Sequence, residues 1–301
     1  MAVQTEGRWL PIPDGWVVSP FVGTLPAALF RYRPLSDDWV ARRFTFELEE
    51  ESIFLAGAHT LNDPDEGRVQ WKAQGSFEAA VKLVSETLMK RHGGANPVDL
   101  LPTVWEMARE MTSSRRIPEG TIDLLHSIFS KSVRIACFTT RPVNGPMWTH
   151  YGNYSSGKDW PNPHGGICIE YAVDESWRTT GLRPVEYAER RPEVNMLSPH
   201  DLEEQFAYAT RVKSPDWAYE DEWRIVAYMS TTAHTSADFN ANSKLKLEGC
   251  VKSVIFGLNA ESAAAAQLAT KLRTQMPHVA LKKVVRHDEN GTLMLAPLEK
   301  Q

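Results

Sequence analysis

The sequence predicts an α+β fold: a single domain with a mixed, mainly antiparallel sheet and a helical insert. Short apolar runs of strand length recur along the whole chain, whereas three consecutive segments with helical spacing are grouped at about 76–131. The length of 301 residues, with 42% hydrophobic and 24% charged residues, is ordinary for one globular domain. We therefore expect an extended, proline-rich arm at 1–27 and one domain at 28–301.

The predicted strands are runs of apolar or alternating residues bounded by turn signals. They lie at 28–35, 52–56, 133–139, 166–171, 182–187, 224–229, 251–257, 279–285 and 292–295. Alternation in the first run places Phe30 and Tyr32 on one face, and Arg31 and Arg33 on the other. The last two runs are joined by Asn290-Gly291, which is typical of a tight hairpin turn.

The predicted helices have apolar residues at spacings of three and four. They lie at 39–51, 76–91, 97–111, 120–131, 199–212 and 260–275. Between the strands at 133–139 and 166–171, the chain is rich in glycine and proline and is predicted to be one long loop, at 141–166. A loop of this length inside a compact domain is usually functional or disordered, and its aromatic residues favour function.

Charge and composition limit the classes of partner that the protein can bind. The net charge of −5 gives no electrostatic footprint for duplex DNA, although a local basic cleft could hold RNA or a nucleotide. No signal peptide and no apolar run of membrane-helix length is visible, so we expect a cytoplasmic protein without a membrane partner. The three cysteines lie in apolar runs without metal-binding or redox spacing, as expected for buried thiols.

The stretch 217–226 holds the first candidates for chemistry. On a continuous strand, Glu220, Glu222 and Arg224 would project to one face. In the functional interpretation, Glu222 stabilises positive charge or accepts a hydroxyl proton, Glu220 orients the reacting group, and Arg224 keeps both carboxylates ionised. The alternative is a solvated pair of acids neutralised by Arg224.

Two more segments supply candidate ligand contacts. Arg31, and with it Arg33, could bind phosphate or carboxylate through a forked contact, or be ordinary strand arginines. In the loop, Trp148 and Tyr151 offer aromatic faces, and His150 is a candidate general base, although a lone histidine is more often structural.

A polar turn after the second strand adds Asn62, Asp63 and Glu66, and Lys213 precedes the acidic stretch. The turn could hold sugar hydroxyls or form part of a site for a hard metal ion, or it could be a proline turn with local hydrogen bonds. The spacing is not that of a calcium loop, and no zinc spacing occurs, so no metal ligand is assigned. Lys213 is a candidate to balance the acids.

Together these segments resemble the bacterial and phage domain-of-unknown-function family 2971. The matching elements are 30–33, 61–66, 137–138, 147–152, 164–171, 213 with 217–224, and 254–257. The resemblance spans most of the chain, and it implies a family without an established activity.

The order of an early strand arginine, a middle aromatic and histidine segment, and a late Glu-x-Glu also resembles ADP-ribosyltransferase-like domains. That resemblance implies that Arg31 binds the pyrophosphate of NAD and that Tyr151 or Trp148 packs on nicotinamide. It implies that Glu222 is catalytic and that Glu220 positions the acceptor.

The leading expectation is therefore a nucleotide-ligand-binding enzyme, an ADP-ribosyltransferase or NAD glycohydrolase, with NAD as substrate and a protein or RNA acceptor, in a toxin or phage-defence setting. One alternative is a phosphodiester or RNA hydrolase that holds magnesium with Asp63, Glu66, Glu220 and Glu222. The other is a non-enzymatic domain that senses a ligand or partner in a phage-conflict system.

Overall fold

A computed structural model describes residues 16–17, 20–36, 40, 44–63, 68–91, 96–117, 122, 133–154, 162–198, 202–229, 244–287 and 289–299. The α+β class is confirmed, with strands and helices mixed along the chain. The chain divides into two compact units: residues 1–56, 135–185 and 216–301 form the first, and residues 57–134 and 186–215 form the second. The sequence carried no signal of this division, because each unit is assembled from separate segments of the chain.

Strands supply most of the regular structure. They are β1 (Trp16–Val17), β2 (Ala28–Arg33), β3 (Ser52–Phe54), β4 (Ala56–Gly57), β5 (Gln70–Lys72), β6 (Val133–Thr139), β7 (Ile167–Ala172), β8 (Leu182–Pro184), β9 (Glu186–Tyr187), β10 (Glu193–Asn195), β11 (Val212–Lys213), β12 (Glu222–Met229), β13 (Lys244–Lys246), β14 (Val251–Phe256), β15 (Ala280–Arg286) and β16 (Leu293–Pro297).

The described α-helices are α1 (Phe77–Arg91), α2 (Pro97–Ser114), α3 (Gly145–His150), α4 (Leu202–Ala209) and α5 (Ala263–Gln275). Short 3₁₀ helices span Ala58–Thr60, Glu175–Thr180 and Pro215–Glu220, and Thr45–Glu49 is a π-helical segment. None of the described helices is long and apolar enough to cross a membrane.

The main sheet runs in the order β1-β12-β6-β2-β7-β14-β15-β16. Its centre is antiparallel, because β7 pairs antiparallel with both β2 and β14. The pair of β14 and β15 is parallel, and α5 lies between these two strands in the chain, as a parallel crossover requires. The predicted mixed, mainly antiparallel sheet is confirmed.

Side-chain alternation divides the first unit into two cores, one on each face of the sheet. What we call the large core includes Ile169 and Tyr171 of β7, together with residues of β6, β14 and α5. The small core includes Cys168 of β7, with Phe30 of β2 and Trp148 of α3. Both faces of the central strands are therefore covered. This explains why the sequences of these strands are nearly continuous apolar runs.

Two predictions about local structure are wrong. Part of the predicted loop at 141–166 is α3, in which Asn144 caps the first turn and a proline follows in that turn. The segment leading into β12 is a 3₁₀ helix that ends at Glu220, so the strand begins only at Glu222. The described part of the predicted extended arm includes β1, which pairs antiparallel with β12.

The second unit holds two of the three helices predicted for the insert. Asn96 caps α2 through its side chain, and the ring centroids of Phe77 in α1 and Trp105 in α2 lie 5.2 Å apart. The second unit also contains α4 and two small parallel pairs, β5 with β10 and β9 with β11. The helix predicted at 120–131 lies outside the described residues, except for position 122.

Candidate functional site

Glu222 and Arg224 form a buried, forked ion pair at the start of β12. The Nε and Nη2 atoms of Arg224 donate to the two carboxylate oxygens of Glu222, over 2.8 and 2.9 Å. Arg224 is fully buried and Glu222 is 5% exposed. The two residues share a strand face, as predicted, and the fork fixes the plane of the carboxylate.

Glu220 is fixed by a different partner. The hydroxyl of Tyr151 donates to its carboxylate over 2.7 Å, and the hydroxyl of Thr139 donates to its backbone carbonyl. The prediction that Glu220 and Glu222 share one strand face is wrong, because Glu220 ends a 3₁₀ helix and Asp221 lies between the two in a left-handed conformation with φ of 46°.

Asp221 is the accessible acid of the three. Its carboxylate accepts from the hydroxyl of Thr140 and from Nε of Arg141 over 3.2 Å, and both charged side chains are about half exposed. The backbone amide of Thr140 also donates to the carbonyl of Asp221. The loop after β6 and the segment before β12 are therefore tied together at the candidate site.

Asn144 joins α3 to the acidic segment. Its side-chain oxygen accepts from the amide of Met147, and its side-chain nitrogen donates to the carbonyl of Tyr219 over 2.6 Å. One side chain thus caps the helix that carries the aromatic residues and also fixes the residue before Glu220.

The aromatic candidates have different surroundings. Trp148 is fully buried, donates to the carbonyl of Pro142 and meets Tyr32 edge to face, so its ring is a packing anchor of the small core. Tyr151 packs against that core while its hydroxyl reaches Glu220. His150 is exposed at the end of α3, with its ring centroid 6.2 Å from that of Tyr151.

Arg31 and Arg33 lie on the opposite face of the sheet from Glu222. Arg31 stands over the ring of Phe138, a residue of the large core, at 5.7 Å. In β12, Ile225 belongs to that same core, so Glu222 and Arg224 point to the other face. The ADP-ribosyltransferase interpretation needs Arg31 and Glu222 to contact the same ligand. The structure therefore does not bring these two residues together.

Three of the remaining candidates belong to the second unit, and one lies outside the described residues. Asn62, Asp63 and Lys213 belong to the second unit, where Asp63 and Lys213 are buried. Glu66 lies outside the described residues. Among the residues described, no group of three or more histidine, cysteine, aspartate and glutamate side chains is arranged to hold a metal ion.

Sequence reasoning missed four polar residues at the end of β6 and in the loop after it, namely Thr139, Thr140, Arg141 and Asn144. A signal was available for Asn144, because Asn-Gly-Pro before an apolar segment is a helix start. No local pattern could show that Thr139 and Thr140 meet residues about eighty positions away.

No protein-family model matches the chain, and no curated protein or solved structure shows significant similarity to it. The resemblances to domain-of-unknown-function family 2971 and to ADP-ribosyltransferase-like domains therefore stay predictions.

Proposed function

We propose that this protein is a nucleotide-ligand-binding enzyme that cleaves the bond between nicotinamide and ribose in NAD, as a glycohydrolase or an ADP-ribosyltransferase. One observation carries the proposal: the buried carboxylate of Glu222 is held by a forked contact from Arg224, at the edge of a segment whose other glutamate is fixed by Tyr151. A fixed carboxylate in a poorly solvated position stabilises a developing cation more strongly than a hydrated one.

The chemistry suits that carboxylate. The bond from C1′ of the ribose to the nicotinamide nitrogen breaks, and nicotinamide leaves with the bonding electron pair. The ribose then carries oxocarbenium character, which a neighbouring carboxylate stabilises. An oxygen or nitrogen nucleophile of water or an acceptor attacks C1′ and loses one proton.

The roles in this proposal differ from those first expected. Arg31 is left out, because it lies on the other face of the sheet. Arg141 takes its place as the cation for a pyrophosphate, since its side chain is more than half exposed beside Asp221. Tyr151 orients Glu220, and Trp148 supports the loop from within the core.

The first test measures nicotinamide release from NAD by the purified full chain, with and without cell extract as a source of acceptor. We expect release by the wild type and a loss of about 100-fold or more in Glu222→Gln. The control is Glu175→Gln, which removes an exposed glutamate from a surface ion pair and should leave release unchanged.

A second variant separates chemistry from folding. Glu222→Gln combined with Arg224→Met removes both charges of the buried pair, so it avoids leaving one charge uncompensated. If this double variant is stable and inactive, the carboxylate acts in the reaction. If the wild type binds NAD without releasing nicotinamide, the protein is a sensor, and if it neither binds nor cleaves NAD, the proposal is wrong.

A further inference from the structure

Three buried polar atoms on the large-core face have no hydrogen-bond partner within the described structure. They are Nη1 of Arg31, the hydroxyl of Tyr171 and Nε1 of Trp177. Tyr171 and Trp177 are fully buried and Arg31 is 8% exposed. The other terminal nitrogen of Arg31 donates to the carbonyl of Phe54 over 3.2 Å. Because buried polar groups are nearly always satisfied, three orphans in one region indicate a bound species.

The three side chains are neighbours around one ring. Arg31 and Tyr171 lie on adjacent antiparallel strands, where Leu29 pairs with Tyr171 and Arg31 with Ile169, so the two side chains are diagonal neighbours on the same face. The ring of Phe138 lies 5.7 Å from the guanidinium carbon of Arg31. Its centroid is also 5.7 Å from the rings of both Tyr171 and Trp177.

The charge of this region is unbalanced among the described residues. Two arginines, Arg31 and Arg33, face one buried carboxylate, that of Glu47, which already accepts from Nε of Arg33 over 2.6 Å. Burial, together with the neighbouring Arg33, lowers the pKa of Arg31 to about 10, so the guanidinium remains charged at neutral pH. Burial, aided by Glu47, raises the pKa of Tyr171, so its hydroxyl keeps its proton.

All three orphan groups can donate a hydrogen bond, and the guanidinium and indole nitrogens can only donate. Water would satisfy them only by accepting from several donors and would leave the positive charge in place. A large anion is disfavoured, because Tyr171 and Trp177 are completely enclosed by the core.

We propose that the first unit binds a chloride-sized monovalent anion between Arg31, Tyr171 and Trp177. This site is independent of the proposed NAD chemistry, since it lies on the other face of the sheet. The anion neutralises the excess positive charge and accepts a hydrogen bond from each of the three unpartnered donors. It therefore acts as a structural ligand of the large core.

The test compares thermal unfolding of the full chain in sodium chloride, bromide and gluconate at equal ionic strength. A ligand that binds only the folded state raises Tm as its concentration rises above its Kd. We expect chloride and bromide to raise Tm by roughly 3 °C or more over gluconate. Equal melting curves in the three salts overturn the proposal and indicate water in the site.

Two variants locate the effect. Tyr171→Phe removes one donor without changing the ring, and we expect it to weaken the chloride response by about tenfold in apparent affinity. Arg31→Met removes the charge and should abolish the response. The control, Tyr208→Phe, removes an exposed hydroxyl that donates to Glu186 in the second unit and should keep the full response.

Crystals soaked in sodium bromide give a direct readout. An anomalous peak between the three side chains supports the site, even if a variant fails to fold. Its absence at a bromide concentration that raises Tm places the anion elsewhere and overturns the assignment.

Discussion

Arg224 is a fully buried cation whose role can be measured by removing it. Arg224→Met leaves the carboxylate of Glu222 buried without its forked partner, which we expect to cost about 3–5 kcal/mol in the free energy of unfolding. Urea denaturation measures this loss. The double variant with Glu222→Gln should recover most of it, because the carboxylate that the fork neutralised is then also removed.

The matched control for Arg224→Met is a pair on the surface. Lys246 and Glu248 are both about half exposed and 3.8 Å apart. Lys246→Met should change the free energy of unfolding by less than about 1 kcal/mol. A loss at Arg224 no larger than this would mean that the fork contributes little to the fold.

Glu170 gives a second prediction at the scale of one residue. Burial opposes its ionisation, but hydrogen bonds from Lys282, over 2.6 Å, and from Ser253 outweigh burial and lower its pKa below the ordinary value of 4.5. A carboxyl group whose pKa is lower when folded stabilises the protein above its unfolded pKa, and it loses this contribution as pH falls through the folded pKa.

The measurement compares the free energy of unfolding of wild type and Glu170→Gln across pH. We expect the wild type to be more stable at pH 6–7 and the difference to shrink progressively once pH falls below about 4.5. A difference that is constant across this range would show that packing, and not the charge of Glu170, is responsible.

At the scale of elements, α3 depends on Asn144. With only 6 residues, the helix is too short to be stable by itself, so its cap and its tertiary contacts hold it. Asn144→Ala removes the cap to Met147 and the bond to Tyr219, and we expect a loss of about 1–3 kcal/mol in the free energy of unfolding.

Asn144→Ser distinguishes the two contributions. Serine is a good cap but is too short to keep the bond to Tyr219, so it should restore about half of the stability lost in alanine. In the proposed enzyme, both variants should also slow nicotinamide release, because Glu220 follows Tyr219 directly. Full activity in Asn144→Ala would show that the link between α3 and the acidic segment is structural only.

At the scale of the whole molecule, both faces of the central strands of the main sheet are covered by apolar cores. Cys168 lies in the small core and Cys250 in the large core, and both are buried thiols, whereas Cys137 is partly exposed. Burial raises the pKa of Cys168, which lowers its reactive thiolate fraction further.

Thiol modification therefore reports on both faces at once. Under native conditions we expect at most one of the three cysteines to react quickly, and Cys137 to be that one. In denaturant all three should react, and mass spectrometry of the modified peptides assigns them. Fast native labelling of Cys168 would mean that the small core opens readily.

The sequence by itself determined many of the strands and helices of both units. Apolar runs with few polar interruptions predicted β6, β7 and β14, because strands covered on both faces need apolar residues at both parities. Helical spacing likewise predicted α1, α2 and α5 to within a few residues. The pairing of Glu222 with Arg224 also followed from parity within one strand.

Only the tertiary structure decided which residues meet. Odd and even positions of one strand point to opposite faces, so the sequence alone shows which of its side chains share a face. The position of Arg31 relative to Glu222 depends instead on strand order and on which core each face contacts. The turn at Asp221 placed Glu220 outside the strand, where Tyr151 and Thr139 hold it. Contacts across about eighty residues come from closing the sheet, and no spacing along the chain encodes them.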